Sequence, residues 1–306
     1  MKDVAAIQRL LYPPWVKSEA GWRHSMATIP ARARDRFVVA CVDDEVIGFA
    51  WALLNYHSEE EGSATLRLNV LPAFRGRGIG SALYADAMRH FETLSVSVIR
   101  SWVPDEPASN RFAERHGFER RREMRYSTLD PSDLPPMPEI PEGVTLSDLD
   151  TAGIDAVYDW DASCMFDEPR DFEAEMTPKD EWVAMYWNDP DNRRDLGVVA
   201  IADGMVVAGT GVDVDGTRST SGFTGVRPGY RGRGLAKLVK SVSLRRVAAA
   251  GVTHVYTSND EANAPMLAVN EWLGYRPAST QIQWRLTVGS SRNTSPPISI
   301  GDMSKT

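Results

Sequence analysis

Two hexapeptides hold residues whose types and spacing suit chemistry: RGRGIG from Arg75 to Gly80, and RGRGLA from Arg231 to Ala236, 156 positions further on. Glycine lets the backbone turn through left-handed conformations and come close to a ligand. Each hexapeptide precedes a segment of helical apolar periodicity. The first N–H groups of such a helix have no partner within it and point outward with the positive end of its dipole. The arginines add planar, permanently charged donors suited to phosphate. Each turn therefore reads as an anion site, and its repetition in matching surroundings makes the chain a tandem of two related units. Neither turn spells GxGxxG or ends in GK and Ser or Thr, which disfavours a dinucleotide fingerprint or a P-loop.

Strands and helices must hold these turns in place. In the first half, Arg36 to Val42 and Val46 to Leu54 are β-rich runs around Asp43, Asp44 and Glu45, a hairpin signal. Thr65 to Val70 alternates as a third strand and stops at Pro72. Ile79, Leu83, Ala87 and Phe91 then mark one face of a helix. A strand over Ser95 to Val103, a helix over Pro107 to His116 and a strand over Phe118 to Leu129 follow. The second half repeats the order: strands at Gly197 to Ala202, Met205 to Val214 and Ser221 to Val226, then a helix with Leu235, Leu238, Val239 and Val242 inward. Val252 to Ser258, Ala264 to Trp272 and Gln281 to Leu286 complete it as strand, helix and strand.

The two halves differ at their openings. Val144 to Leu146 predicts a short first strand in the second half, whereas helix-like sequence (Val4 to Leu11) follows Met1 almost at once. The period-two pattern at Ile298 to Ile300, within 298–303, predicts a returning strand that pairs with Arg36 to Val42; about ten preceding residues reach roughly 33 Å.

A length of 306 residues fits two units of about 150. Five prolines between Leu129 and Gly143 mark a linker, so we expect domains at 1–130 and 143–286, a linker at 131–142 and a flexible connection at 287–297. The formal charge of −8 argues against nucleic acid bound through general electrostatics and tolerates a cationic partner. Acidic residues gather at Glu59 to Glu61 and from Asp159 through Asp161, Asp167, Glu168, Asp171 and Glu173 to Glu175. Cys41 and Cys164 fall in different halves and form neither a metal spacing nor a disulfide framework, and no metal is expected. With no long apolar run and no signal-peptide pattern, the chain reads as cytoplasmic, without a membrane partner, and as a monomer or homodimer.

The stretches from Val70 to Gly80 (VLPAFRGRGIG) and from Val226 to Ala236 (VRPGYRGRGLA) resemble the acetyl-CoA signature of the GNAT superfamily of N-acetyltransferases, R-x-x-G-x-G/A after V-x-P. The order of elements in both halves fits that family. The resemblance implies an α+β fold of two GNAT-type domains, each a mixed, mostly antiparallel twisted sheet flanked by helices. It also implies acetyl-CoA as cosubstrate. The coenzyme diphosphate would sit on the N–H groups at Arg75, Gly76, Arg77, Gly78, Gly80 and Ser81, or at Arg231, Gly232, Arg233, Gly234, Leu235 and Ala236. Its pantetheine arm would pair with Val70 or Val226, and a strand N–H at Leu68 or Thr224 would polarise the thioester carbonyl.

Members of the family often carry N-x-x-A-x-x-x-Y-x-x-x-G-[FY], in which the Asn meets the coenzyme and the Tyr is a candidate acid. The second half keeps Asn263 and has Asn270 in place of the Tyr; the first half has Glu106 and Ala113 there. An amide does not act as an acid at ordinary pH, though it can orient a substrate or water. Asp213, Asp215, Asp260 and Glu261 lie near strand ends as candidate carboxylates. We expect Thr224, Asn270, Asp213 and Glu261 to form the catalytic set of a second-half acetyltransferase. The acceptor expected is a primary amine of a small cationic molecule such as a basic antibiotic, suggested by the acidic run. The alternatives are a mycothiol-type amine or other metabolite, or a coenzyme-binding module without turnover.

Overall fold

The computed structural model describes residues 1–58, 60–165 and 175–289. The first half comprises α1 (Lys2–Leu11), α2 (Glu19–Thr28), β1 (Arg36–Val42), β2 (Glu45–Leu54), β3 (Ser63–Val70), α3 (Ile79–Glu92), β4 (Val98–Pro104), α4 (Pro107–Arg115) and β5 (Glu119–Leu129). The second comprises β6 (Thr145–Ser147), α5 (Leu149–Ala152), α6 (Ile154–Cys164), α7 (Lys179–Trp182), β7 (Val198–Ala202), β8 (Met205–Asp215), β9 (Arg218–Val226), α8 (Leu235–Ala249), β10 (His254–Asp260), α9 (Ala264–Leu273) and β11 (Arg276–Thr287). The fold is α+β, with helices packed on a mixed sheet.

All the strands among the described residues join one sheet, in the order β1-β2-β3-β4-β11-β5-β10-β9-β8-β7-β6. The final strand of each half crosses into the other. β11 lies between β4 and β5, while β5 lies between β11 and β10. Each half thus completes its neighbour's sheet, and the β5–β11 pair is the seam about which the halves repeat. β11 starts earlier than Gln281, at Arg276, because the register shift between Pro277 and Ser279 accommodates a proline that cannot donate to a ladder.

The first half has no opening strand among the described residues; α1 starts at Lys2 and β1 is an edge of the sheet. The expected returning strand at 298–303 lies outside the described residues. Trp22, Phe49 and Phe91 pack the first half, and Leu235, Leu238, Leu244 and Leu273 pack the second, all fully buried. The halves are also latched polar to polar: Asp191 accepts from the backbone N–H of Ser18 at 2.8 Å and from its hydroxyl, and Arg9 donates to Asp215 at 2.6 Å. Gly21 is dictated by this latch, because a Cβ there would lie 1.9 Å from the Asp191 carboxylate.

Candidate active site

β9 pairs with β10 only from Arg218 to Thr220, after which the two parallel strands separate. The backbone from Ser221 to Val226 therefore borders an opening instead of a strand. On its other edge β9 pairs Thr224 with Thr210 and Ser221 with Val212, so Gly222 and Phe223 stand opposite Gly211 alone. Such a bulge bends the strand and re-aims its groups. After Val226 the chain makes one 3-10 turn, Pro228–Tyr230, and enters the RGRGLA corner.

Gly232 and Gly234 take φ of 76° and 77°, a region that favours glycine. Apart from their own chain neighbours, no atom lies within 4 Å of where a Cβ would stand on either, so a ligand can approach this backbone closely. The Arg231 Nε donates to the Val226 carbonyl at 3.1 Å, fixing the corner to the end of the strand, and the Arg233 guanidinium lies over the Tyr230 ring at 5.0 Å.

A cavity of about 1170 Å³ starts at this corner, runs between β9 and β10 past Val226, Thr224 and Asn259, and reaches Arg67 and Trp15 of the first half. A second cavity, about 660 Å³, continues from there; both are lined by Trp15, Thr65, Arg67, Gly222 and Phe223. Its walls are aromatic (Trp22, Trp51, Trp160, Tyr56), with Asp213, Asp189 and Lys17 among them. The bulge at Gly222 and Phe223 thus stands where two chambers meet. One chamber has a phosphate-type corner; the other has aromatic and charged walls.

Asp213 is the carboxylate most changed by its surroundings. Burial, and then the charges of Asp189 and Asp191, push it up to about 7 against the opposing pull of Lys17. Lys17 itself pairs with Asp189 at 2.8 Å. Among the described residues the Asp213 carboxylate has no hydrogen bond or ion pair. The Arg67 guanidinium stacks on Trp15 at 4.0 Å and stands 5.6 Å from the Trp51 ring; burial brings it down to about 10.

The residues expected from the sequence divide clearly. Thr224, Val226, Arg231, Gly232, Gly234, Leu235, Ala236 and Asn263 line the first cavity, and Asp213 lines the second. The Thr224 hydroxyl bonds that of Thr210 at 2.8 Å, and Asn263 caps α9 through the Met266 N–H at 3.3 Å. Arg233 lines neither cavity. Asn270 is buried behind the wall, donating to Asn259 at 2.5 Å. Glu261 is exposed, 3.9 Å from Arg125, and lines neither cavity. Asp260, considered beside it, is held by Arg122 and also lies outside both. A direct contact of Asn270 or Glu261 with the reacting atoms is therefore at odds with this geometry.

The first corner is folded in the same way. Gly76 and Gly78 have φ of 76° and 83°, and the Arg75 Nε donates to the Val70 carbonyl at 3.0 Å. Yet none of Val70, Arg75, Gly76, Arg77, Gly78, Gly80 and Ser81 lines either cavity. The Phe112 ring on α4 comes within 3.4 Å of a Cβ placed on Gly80, and it packs with His116, ring centres 4.2 Å apart. β3 pairs with β2 in unbroken register from Ala64 to Val70, with no bulge.

Sequence reasoning missed Trp15, Arg67 and Lys240, which also line the first cavity. Trp15 and Arg67 come from the other half, and no local pattern announces that. Lys240 was detectable by laying one half on the other, where it falls opposite Tyr84.

Comparison with known proteins agrees with these observations. The sequence model of the Acetyltransferase (GNAT) family matches residues 3–118. The chain is 30% identical to a mycothiol acetyltransferase of Nocardioides sp., covering 77% of this chain and 89% of that one, and 29% identical to a mycothiol acetyltransferase of Saccharomonospora viridis, covering 78% and 79%. Among solved structures, a tandem GNAT protein from the clavulanic acid biosynthesis pathway superposes with a TM-score of 0.70 at 22% identity, over 94% of each chain. A GCN5-related N-acetyltransferase from Sphaerobacter thermophilus gives 0.69 at 20% identity, over 93% of this chain and 91% of that one.

Proposed function

We propose, from the premise that this chain belongs to the GNAT family of acetyltransferases and uses acetyl-CoA as donor, that its second half carries the transfer and that the acceptor is a small, hydroxyl-bearing primary amine of the mycothiol type. The observation carrying this reading is the bulge of β9 at the meeting of the two cavities, reached from an open corner at Gly232 and Gly234. The first half would be structural at its own corner and would contribute Trp15 and Arg67 to the acceptor chamber.

The residues present fit the coenzyme. The first N–H groups of α8, which have no partner within the helix, and its dipole suit a diphosphate, and the edge of β9 from Ser221 to Val226 that β10 leaves unpaired suits the amides of a pantetheine arm. When bound, acetyl-CoA supplies an activated acyl group on a good leaving thiolate. Asp213, poised near neutrality, accepts a proton from the acceptor's ammonium, directly or through one water, and so frees its lone pair. A backbone N–H of the bulged stretch near Thr224 then faces the carbonyl oxygen as negative charge grows on it.

The mixed charge of the acceptor chamber favours a mycothiol-type amine over a polycation. Lys17 and Arg67 share its walls with the carboxylates. Of the acidic run, Asp159 is paired with Arg227, and Asp161 is held in place by the Trp182 indole at 2.7 Å while keeping its charge. Aromatic walls suit the apolar faces of a sugar or cyclitol. Free-thiol release from acetyl-CoA, followed across a panel of amines, tests this reading. Turnover on a cysteinyl or aminosugar amine is expected, and coenzyme uptake without thiol release on any amine would refute it.

A further inference from the structure

The face of α8 that packs on the sheet is apolar, apart from small serines and one long charged residue. Lys240 is 1% exposed, lines the first cavity, and its amine makes no hydrogen bond or ion pair among the described residues. Burying an ammonium without a partner is unfavourable. The fold has a ready alternative in its first half, where the equivalent residue, Tyr84, packs against Phe118 with ring centres 6.3 Å apart. In the second half that pair becomes Lys240 and Tyr275, the amine 5.4 Å from the ring centre.

The place of this amine is specific. The Tyr275 hydroxyl lies 3.0 Å from the Ser221 hydroxyl, so Lys240 stands near the apex of the gap, where β9 leaves β10. From Val226 to Ser221 is five residues of strand, about 17 Å at ~3.3 Å each. A pantetheine arm has about twelve bonds between diphosphate and sulfur and spans about 15 Å when extended, at ~1.2 Å of reach per bond. An arm anchored at the corner thus brings its sulfur to the level of Lys240.

We propose that Lys240 is a catalytic residue of this site, the acid that hands a proton to the departing thiolate; this rests on the functional reading above. As the acceptor nitrogen bonds to the carbonyl carbon, the carbon–sulfur bond breaks and its electron pair goes to sulfur. One proton from the Lys240 ammonium then converts thiolate to thiol. The acceptor nitrogen sheds two protons: the first, from its ammonium, goes to Asp213 before attack, and the second, released as the amide forms, goes to water. Lys240 ends the turnover neutral and Asp213 protonated, and both return to their starting forms by exchange with water.

Burial alone brings the amine down to about 7, which makes its ammonium a competent acid at neutral pH. The ionisable group facing it is Tyr275, itself pushed up by burial. Lys237, one turn earlier, lies over the Trp272 ring at 4.8 Å, Glu271 on α9 is exposed, and neither Ser221–Val226 nor Thr257–Asn259 carries an ionisable side chain.

The test is a titration that needs no acceptor. Coenzyme A is bound to the wild-type protein and to Lys240→Met, and its thiol is titrated by thiolate absorbance. In the wild type the bound thiol should ionise at least about one unit lower than in the variant, because the ammonium stabilises the thiolate. Turnover of the variant should fall about 100-fold while coenzyme affinity stays within about threefold. Lys240→Gln carries the same expectation if the Met variant does not fold. Equal thiol ionisation with undiminished turnover would overturn this inference alone, whereas no coenzyme uptake by the wild type would overturn the functional reading as well.

Discussion

The corner at Arg75 and the corner at Arg231 share their sequence, their left-handed glycines and the arginine that clasps the strand end. Beyond the corner each half also parts its two parallel strands after three paired residues, but what fills the space behind differs. Behind the first, Phe112, Tyr84 and His116 pack together and β3 keeps a regular register. Behind the second, Val269 and Lys240 line an open cavity and β9 carries a bulge. The family sequence model matches the first half, while the corner whose residues line the large cavity is the second's, so carrying the signature and opening on that cavity are separable properties. Both corners suit a phosphate by their backbone; the bulge of β9 and the aromatic packing behind the first corner are what set them apart.

The two corners should part most widely when their equivalent glycines are replaced. Gly78 and Gly234 occupy the same backbone conformation, so a valine at either carries a similar strain of about 1–2 kcal/mol. Gly234→Val should weaken coenzyme binding about 100-fold or more and abolish turnover, because it crowds the diphosphate cradle. Gly78→Val should leave the coenzyme dissociation constant within about threefold. Calorimetric titration of both variants checks this, and the opposite pattern would move the active cleft to the first half.

Next in size is Asp213→Asn. It should lower turnover about 100-fold and remove the rise in rate as pH passes through about 7. Stability should move the other way. A carboxyl whose folded pKa is raised loses stability as pH rises from its unfolded to its folded value, and burial is the main cause here. The Asn variant should therefore melt above the wild type at pH 8, and the gap should close near pH 4. Thermal melts at the two pH values decide the sign.

The first gap is filled by the Phe112 ring, and removing it should open that gap. Phe112→Ala should cost about 2 kcal/mol, less than a fully buried phenylalanine, because this ring is only half-buried. If that ring is what closes the first cleft, coenzyme stoichiometry should rise from one per chain toward two at high ligand concentration, with turnover per chain unchanged.

Much of this was legible in the amino-acid sequence because it is local. The hairpin around Asp43 and the helix after Gly78 follow from two short periods, and both corners from their glycines. The exchange of β5 and β11 was not legible, since no local pattern says which half a closing strand will join. The bulge was hidden for a similar reason: it is a relation between Gly211 and the pair Gly222 and Phe223, and neither segment shows it alone. The acceptor chamber joins Asp213, which its place at a strand end had marked, to Trp15 and Arg67 from the other half, which nothing local announced; the same strand-end reasoning also named Glu261, which the fold turns to solvent.

The smallest effect concerns the nature of the acceptor. A polycation steered by carboxylates loses affinity as salt shortens the reach of charge, from about 10 Å at 0.1 M toward about 3 Å at 1 M. The second chamber sets Lys17 against Asp189 and brings the Arg67 guanidinium among its walls, so its field over distance nearly cancels. The Michaelis constant for the acceptor should therefore change less than about twofold between 50 and 500 mM salt. A tenfold rise would return the choice to a cationic amine while leaving the donor cleft untouched, because the corner at Gly232 and Gly234 binds through backbone groups that do not depend on the acceptor's charge.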